Sequence, residues 1–567
     1  MRRVDVPVLI VGGGPVGMMA SLLLAGQGIE SLVVERREGP HRAPQAHVVN
    51  PRTLEILRGA GIDVDALRAL ATPRADGSQV VWMTDLAGEE LGRLPYERQG
   101  DECLADTPTP LLNLSQHLLE PVLLDRLRAT RGAGIRYGHQ WRALEQDEGG
   151  VTSEIEELAS GERYEVRSEF VLAADGAGSR IRKALGIEMV GPDQLQSIIM
   201  IHFEAHLRDL VKDRPAILYW LVDPECSGVL VAHAIDGTWV FMHPYDPEAE
   251  SVESYTRDRC AGIVRRAIGR DDAPFTIRDI SPWTMTAQVA ASYGTGRVFL
   301  VGDSAHRFPP SGGLGMNTGI QDVHNLVWKI REVRTGRAGA ALLETYERER
   351  RPVAQINTDQ SMLNAMKLFE LFEALGIGMD LSADRSAARA RMLETLADPA
   401  GRKRVELAIE AQRDHFDMFG LHLGFSYEEG AVVADGTVKP TVENFVRDYV
   451  PTTRPGSRTP HAWVQHGGER VSILDLLSYD RFTLVAGPEG EAWAKAVSTL
   501  DDPRLGCLVA GRDFLDLEGR WAALSGIGHD GAILVRPDQH VTWRSPGAAS
   551  DAGKAIATAL ATVLART

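Results

Sequence analysis

Cysteine is scarce: four residues in 567, at positions 103, 226, 260 and 507. No two of them stand at the spacing of a metal-binding pair or a CxxC redox motif. That argues against a disulfide framework and a cysteine-based zinc site, and no metal is expected. Positive charge is also in deficit, with Lys+Arg at 61 against Asp+Glu at 78 and a net charge of −17. Such a chain is poorly suited to a phosphate backbone or an anionic membrane, so neither nucleic acid nor membrane is an expected partner. No run of ~18 apolar residues occurs. The opening MRRVDVPVLIVGGG has a short apolar stretch between Asp5 and a glycine cluster, which predicts a first β-strand rather than a signal peptide. A cytoplasmic location is the corresponding expectation. Internal repeats and low-complexity tracts are lacking too. What remains is ordinary globular composition, 44% hydrophobic and 25% charged. At roughly 100–200 residues per domain, the length predicts two to four domains.

The first informative motif is Gly12-x-Gly14-x-x-Gly17. It follows the apolar run VPVLIV and precedes the Ala/Leu-rich segment MMASLLLAGQG, and Glu35 closes the next strand, SLVVER. Glycines there permit a sharp turn and let a pyrophosphate approach a helix N-terminus, while the acid can accept hydrogen bonds from a ribose. The pattern predicts dinucleotide binding and leaves NAD or FAD open. A second motif, Asp175-Gly-Ala-Gly-Ser-Arg-Ile-Arg182, ends the apolar strand FVLAAD; alone it reads equally well as a helix cap. A third, Gly302-Asp303-Ser-Ala-His306, again follows a buried-strand pattern and runs into PPSGGLGMN. A carboxylate at 303 can hold a polyol hydroxyl. The glycine-rich entry to the next helix offers N–H groups to an electron-rich carbonyl edge.

Between about 190 and 290 the pattern changes to short strands. SIIMIHFEA puts Ile199, Ile201 and Phe203 on one face and Met200, His202 and Glu204 on the other. AILYWLVDP, GVLVAHAIDG and TWVFMHPYD follow, which predicts an antiparallel sheet inserted in the nucleotide fold. Residues 315–375 read as helical. PTTRPGSRTP (451–460) reads as a linker, followed by a module with strands at FTLVAG and LGCLVAG and a hairpin at 531–544.

Taken together, GxGxxG…E, DGxxSxxR and GDxAHxxPPxxGxGxN resemble the single-component FAD-dependent aromatic hydroxylases, the para-hydroxybenzoate hydroxylase superfamily, over about residues 5–355. HFDMFGLHLGFSYEEGAVVADG (415–436) and the C-terminal module resemble its phenol-hydroxylating branch, typified by 2,4-dichlorophenol 6-monooxygenase. The fold implied is α/β: a Rossmann-like FAD-binding domain (1–190 and 290–375), an inserted mainly antiparallel substrate sheet (191–289), a helical connecting segment (376–450) and a thioredoxin-like C-terminal domain (451–567). That last domain lacks CxxC, so a structural or interface role is expected of it.

The resemblance assigns roles. Gly12, Gly14 and Gly17 would seat the FAD pyrophosphate, Glu35 the adenosine ribose, and Arg36 would lie beside the adenine. Gln116 would contact the ribityl chain and Asp303 its 3′-hydroxyl. Asp175 belongs to a motif serving both FAD and NAD(P)H. Pro310 would lie near flavin C4a, with Gly315, Met316 and Asn317 near the pyrimidine edge. Gln45 stands where relatives often carry a pyrophosphate-binding arginine; Arg42 and Arg52 are both candidates to replace it. The implied reaction is hydroxylation of a phenolic or hydroxypyridine-type ring with NADH or NADPH and O2 through a flavin C4a-hydroperoxide. The alternative is an oxidase or reductase on the same fold. The WxWxIP segment of halogenase relatives is missing. A phenol needs a base, and His47 is the candidate, since an imidazole near pKa 6.5 suits the relay. Asn113, Met200, His202, Tyr219 and Trp220, with Trp239 and Met242, are the candidate substrate-pocket residues. His306 is expected to be structural. A homo-oligomer is left open.

Overall fold

The computed structural model describes residues 2–378 and 384–566. The connecting segment expected at 376–450 therefore includes five residues, 379–383, that lie outside the described ones.

The main sheet is built on the strand Arg2–Val11, whose last four residues are almost fully buried. It pairs in parallel with Arg163–Ala173 on one side and Ser31–Glu35 on the other. Ala133–Tyr137 and Val298–Leu300 extend the parallel register outward. Continuous apolar runs form these strands because helices cover both faces of a parallel sheet. The covering helices Pro15–Gly26 and Leu314–Arg334 pack against each other and share the principal core. Gly28, just past the first helix, takes φ +71, the left-handed closure that glycine allows at no steric cost. The fold is an α/β, Rossmann-like one.

A second sheet has seven strands, and its membership differs from the 191–289 expectation. Gln79–Met83 and Glu90–Pro95 join it from the first part of the chain, and Gln79–Met83 pairs in parallel with Leu218–Leu221. Local pattern reading finds hairpins between neighbours; this pairing spans more than a hundred residues and leaves no local signal. Alternation along Gln196–Ala205 is as read: Ile199, Ile201 and Phe203 are fully buried against the helix Arg257–Ile268, in a core of their own.

Residues 451–460 are not a loose linker. Thr453, Arg458 and Thr459 are buried. The cause is electrostatic: Arg458 reaches Glu55 with Nε at 2.8 Å, and Arg52 pairs with the same carboxylate at 3.0 Å. Arg52 also donates to Asp538 O and Gln539 Oε1. Nearby, Glu349 accepts from Lys329 and Arg536, all fully buried. These ions tie the C-terminal four-stranded sheet, ordered Leu505–Val509, Phe482–Ala486, Ala532–Val535, Val541–Ser545, to the first core. The Ala532–Val535/Val541–Ser545 pair is the expected hairpin.

Removing one member strands the others without solvent. Glu349→Ala should therefore lower stability by roughly 3–5 kcal/mol, read as a fall in Tm and in the denaturant midpoint. Its two cations hold the Glu349 carboxyl below its ordinary range, against the opposing effect of burial. The stabilisation is thus present above the unfolded carboxyl's pKa and is lost as pH falls below it.

Candidate active site

One cavity of about 1390 Å³ lies between the two sheets. A drug-sized ligand fills roughly 300–1,000 Å³, so there is room for a dinucleotide and a second molecule. Its lining includes Gly12, Gly14, Gly17, Glu35, Arg36, Gln45, His47, Gln116, Asp175, Met200, Trp220, Asp303, Pro310, Gly315 and Met316. Segments separated by hundreds of residues thus meet in one space.

The glycines divide by function. A Cβ on Gly12 (φ +113) would stand 2.1 Å from Ala174 O, and one on Gly17 1.9 Å from Gly12 O; both are needed for backbone packing. A Cβ on Gly14 would meet nothing within 4 Å. That opening, at the N-terminus of Pro15–Gly26, is where an anion can approach. Glu35 accepts from Gly13 N at 2.7 Å and from Arg37 N at 2.9 Å. Burial acts to raise its pKa, but the Arg37 and Gly13 hydrogen bonds outweigh it and the carboxyl is held below its ordinary value. Arg37 is a cavity residue the sequence reading missed. Its guanidinium pairs with the Glu35 carboxylate through Nε at 3.1 Å, and its Nη1 lies 3.9 Å from Glu120 Oε2, so it holds Glu35 in place rather than standing free.

Asp303 accepts no hydrogen bond among the described residues; its side chain is exposed to the cavity, and desolvation by the surrounding walls raises its pKa. Its surface opens into the cavity, so a ligand hydroxyl can reach it. Gly313 (φ +62) starts the helix Leu314–Arg334 without a side-chain cap, leaving the first-turn N–H groups at the cavity wall. An unpaired carboxylate, a free helix N-terminus and the open Gly14 turn suit the ribityl, pyrimidine and pyrophosphate parts of FAD. Asp303→Asn, which keeps the shape but removes the charge, should weaken FAD binding about tenfold by flavin-fluorescence titration.

Several expected site residues do other work. Asn317 does not line the cavity: it accepts from Asn50 N and donates to Val48 O and Gly313 O, fastening the helix start to the segment carrying His47. Tyr219 is fully buried on the opposite face of its strand, its hydroxyl held by Ala216 N and Arg214 O. Trp239 shares that face. His202 stands next to the lining without joining it. Asn113 is buried behind His47 rather than exposed to a ligand. Arg52 is locked in the ion network described above, so it cannot replace the family arginine at Gln45. Arg42 is exposed and outside the lining. Asp175 accepts from Ser179 Oγ and Arg180 N, so it caps the helix Arg180–Ala184 while also lining the cavity. Gln116 donates to Glu120. His306 is buried against Asp322 at 2.7 Å and is structural, as expected.

The sheet wall follows from register. Met200 stands opposite Met242, Met242 opposite Val229, and Val229 opposite Trp220, giving one cross-strand row that lines the cavity. His47 precedes the short strand Val48–Val49, which pairs with Leu112–Asn113 and brings Asn113 Oδ1 to 3.2 Å from His47 Nδ1. Burial pushes the His47 pKa down to about 4 rather than leaving it near 6.5. Its ring faces those of Tyr96, at 6.2 Å, and His233, at 5.6 Å. Both line the cavity and neither was anticipated. A lone histidine or tyrosine at the end of a strand carries no sequence signal of its own.

Comparison with known proteins agrees with this geometry. A family model described as an FAD binding domain matches residues 5–361, and one described as the C-terminal part of aromatic-ring hydroxylases matches 452–567. The chain belongs to the FAD-dependent aromatic-ring hydroxylases. It is 33% identical to a 2,4-dichlorophenol 6-monooxygenase of Delftia acidovorans, over 99% of this chain and 98% of the relative. It is 34% identical to a tetracenomycin A2 monooxygenase-dioxygenase of Streptomyces glaucescens, over 100% and 98%. The crystal structure of the flavin-dependent monooxygenase PieE in complex with FAD and substrate superposes with a TM-score of 0.92, at 36% identity and full coverage of both chains. This hydroxylase is a flavoprotein monooxygenase that uses FAD. Among the described residues no helix is long and apolar enough to cross a membrane, and no group of metal ligands is assembled.

Proposed function

We propose that this hydroxylase adds one oxygen atom to a neutral phenol-type ring, phenolic or hydroxypyridine, that carries a sizeable apolar body. The observation behind this reading is the joint lining of a single cavity. Features suited to FAD share it with a neutral imidazole and an apolar sheet wall. Bound FAD, reduced by NADH or NADPH, supplies the activated oxygen from O2 that enters the ring.

The protein's own part is binding, orientation and proton handling. The open turn at Gly14 and the N-terminus of Pro15–Gly26 take the pyrophosphate, while Arg37 holds Glu35. Glu35 takes the adenosine ribose, with Arg36 toward the adenine, and Gln45 and Gln116 border the linking chain. Asp303 accepts from a ribityl hydroxyl. Pro310, Gly315 and Met316 border the ring system, and Asp175 holds the loop beside it.

Met200, Met242, Val229 and Trp220 form a dry wall for the substrate body, continued by Met366, Phe369 and Phe372 from the helix Ala341–Ala374. An apolar wall of this kind excludes water and favours a neutral ring over a small dianion. His47 accepts the phenol's hydrogen bond at Nε2. With a conjugate-acid pKa of about 4 it is too weak a base to hold a proton from a free phenol, whose pKa is ~10. Proton transfer to Nε2 is therefore coupled to oxygen transfer: as electron density leaves the ring oxygen for the attacking carbon, the hydroxyl becomes acidic enough for the imidazole to take its proton.

The test is substrate-dependent oxidation of NADH and of NADPH across phenols, naphthols and pyridinols, with mass detection of a singly oxygenated product. Reductant consumed with peroxide as sole product for every compound would exclude hydroxylation of this class.

A further inference from the structure

Behind His47 lies a pair of buried amides, Asn113, which was expected in the substrate pocket, and Gln99, which no motif singles out. Gln99 is 6% exposed and Asn113 1% exposed. Gln99 Nε2 donates to Gly77 O at 2.9 Å and to Tyr96 O at 2.7 Å. Carbonyl oxygens only accept, so the orientation of the Gln99 amide is settled and its Oε1 is the atom facing Asn113. Asn113 Nδ2 in turn donates to that Oε1 at 3.2 Å and to Gly77 O at 3.3 Å. Asn113 is therefore oriented as well, and its Oδ1 faces His47 Nδ1. An acceptor at that place requires the proton on Nδ1. A neutral imidazole then carries a lone pair, not a proton, on Nε2, the nitrogen with no partner among the described residues.

The backbone supports the arrangement at some cost. Glu97, between Tyr96 and Gln99, sits at φ +52, a left-handed conformation that bulky residues avoid. Its N–H donates to Phe416 O and a carboxyl oxygen of its side chain, whose pKa burial raises to about 8, accepts from Met418 N. This turn lets Tyr96 line the cavity while Gln99 reaches Asn113.

We infer that Gln99 and Asn113 are positioning residues that fix His47 in its Nδ1–H form, and so make the pocket select rings presenting a hydroxyl donor over the same rings with that hydroxyl alkylated. The inference rests on the proposed role of His47 toward the substrate. Its logic is that of buried polar pairing: an ether oxygen opposite the Nε2 lone pair leaves both groups unpaired, whereas a hydroxyl satisfies both. The titratable groups against His47 are the His233 imidazole and the Tyr96 phenol; among the described residues the buried neutral Asn113 is the hydrogen-bond partner of its ring.

The experiment uses full-length FAD holoenzyme and two probes, 4-ethylphenol and 4-ethylanisole, whose Kd values are read from the perturbation of the flavin spectrum. Wild type is expected to prefer the phenol by about tenfold or more. Asn113→Leu and Gln99→Leu should bring that ratio toward one, with FAD content and Tm as controls. Asn113→Asp keeps an acceptor on Nδ1–H. It should retain the preference while moving the acid limb of the kcat/KM profile upward, because a carboxylate stabilises the imidazolium. Mere structural damage would degrade both Asn113 variants alike and move no pH limb. If Asn113→Leu keeps the wild-type ratio while His47→Ala loses it, the positioning inference is wrong and the role of His47 stands. If His47→Ala also keeps the ratio, both readings fall.

Discussion

Gly14→Val is expected to yield a folded protein that purifies without its yellow colour. Gly14 sits at φ −76, ψ −177, extended backbone that any residue adopts, and its missing Cβ would meet no protein atom within 4 Å. A valine there costs the fold little and fills the space in front of the helix N-terminus. FAD affinity should fall by about 100-fold or more, equivalent to ~2.7 kcal/mol, with a Tm close to that of wild-type apoprotein. Gly17→Val makes the contrast, since its side chain must displace Gly12 O from 1.9 Å; it should lose stability as well as flavin. The measurement is flavin absorbance of the purified protein before and after added FAD, beside a thermal melt. Wild-type FAD affinity in Gly14→Val would mean that the pyrophosphate does not cross this turn.

His47→Ala carries the second large effect. Loss of a positioned acceptor for the ring hydroxyl should lower kcat by about 10²–10⁴-fold while FAD stays bound, because His47 makes its one side-chain hydrogen bond to Asn113. The pH dependence follows from the direction of the shift. Burial lowers the His47 pKa to about 4, so the neutral, accepting form is present above that value and is lost as pH falls through it. In wild type kcat/KM should therefore stay level well below the ordinary histidine range and decline only toward pH 4, with circular dichroism at each pH as the control for folding. A decline centred near the ordinary histidine value of about 6.5 would point to another group. Product quantified by mass spectrometry, set against reductant consumed, separates slow hydroxylation from loss of coupling.

These expectations draw on unequal parts of the chain. The dinucleotide turn was legible because its chemistry is local: glycines, a strand and an acid lie within about thirty residues, and close backbone approach leaves few residue choices. Asp303 was legible for a similar reason, being tied to a buried strand and a glycine-rich helix start. Alternation along Gln196–Ala205 placed Ile199, Ile201 and Phe203 in the core and Met200 at the cavity. The same period-two logic did not extend to Tyr219, whose strand is only four residues long; there the face is set by pairing with Gln79–Met83, far away in sequence.

The reading of 451–460 as a linker failed on composition. Pro, Thr and Arg signal an exposed connection until an arginine such as Arg458 finds a buried carboxylate, and Glu55 lies about four hundred residues earlier in the chain. The same network removed Arg52 from the list of pyrophosphate ligands. His47 was located by its position after the ribose strand, but its protonation was misjudged, because a pKa depends on which distant segments exclude water from the ring.

By itself, then, the sequence determined the fold class, the cofactor and the family reaction, since each rests on short segments whose backbone geometry permits few alternatives. The tertiary structure alone decided which side chains share the cavity, that His47 is neutral, and that Gln99 and Asn113 stand behind it. Those properties arise from burial and from hydrogen bonds between segments far apart in the chain, and neither is encoded in any local pattern.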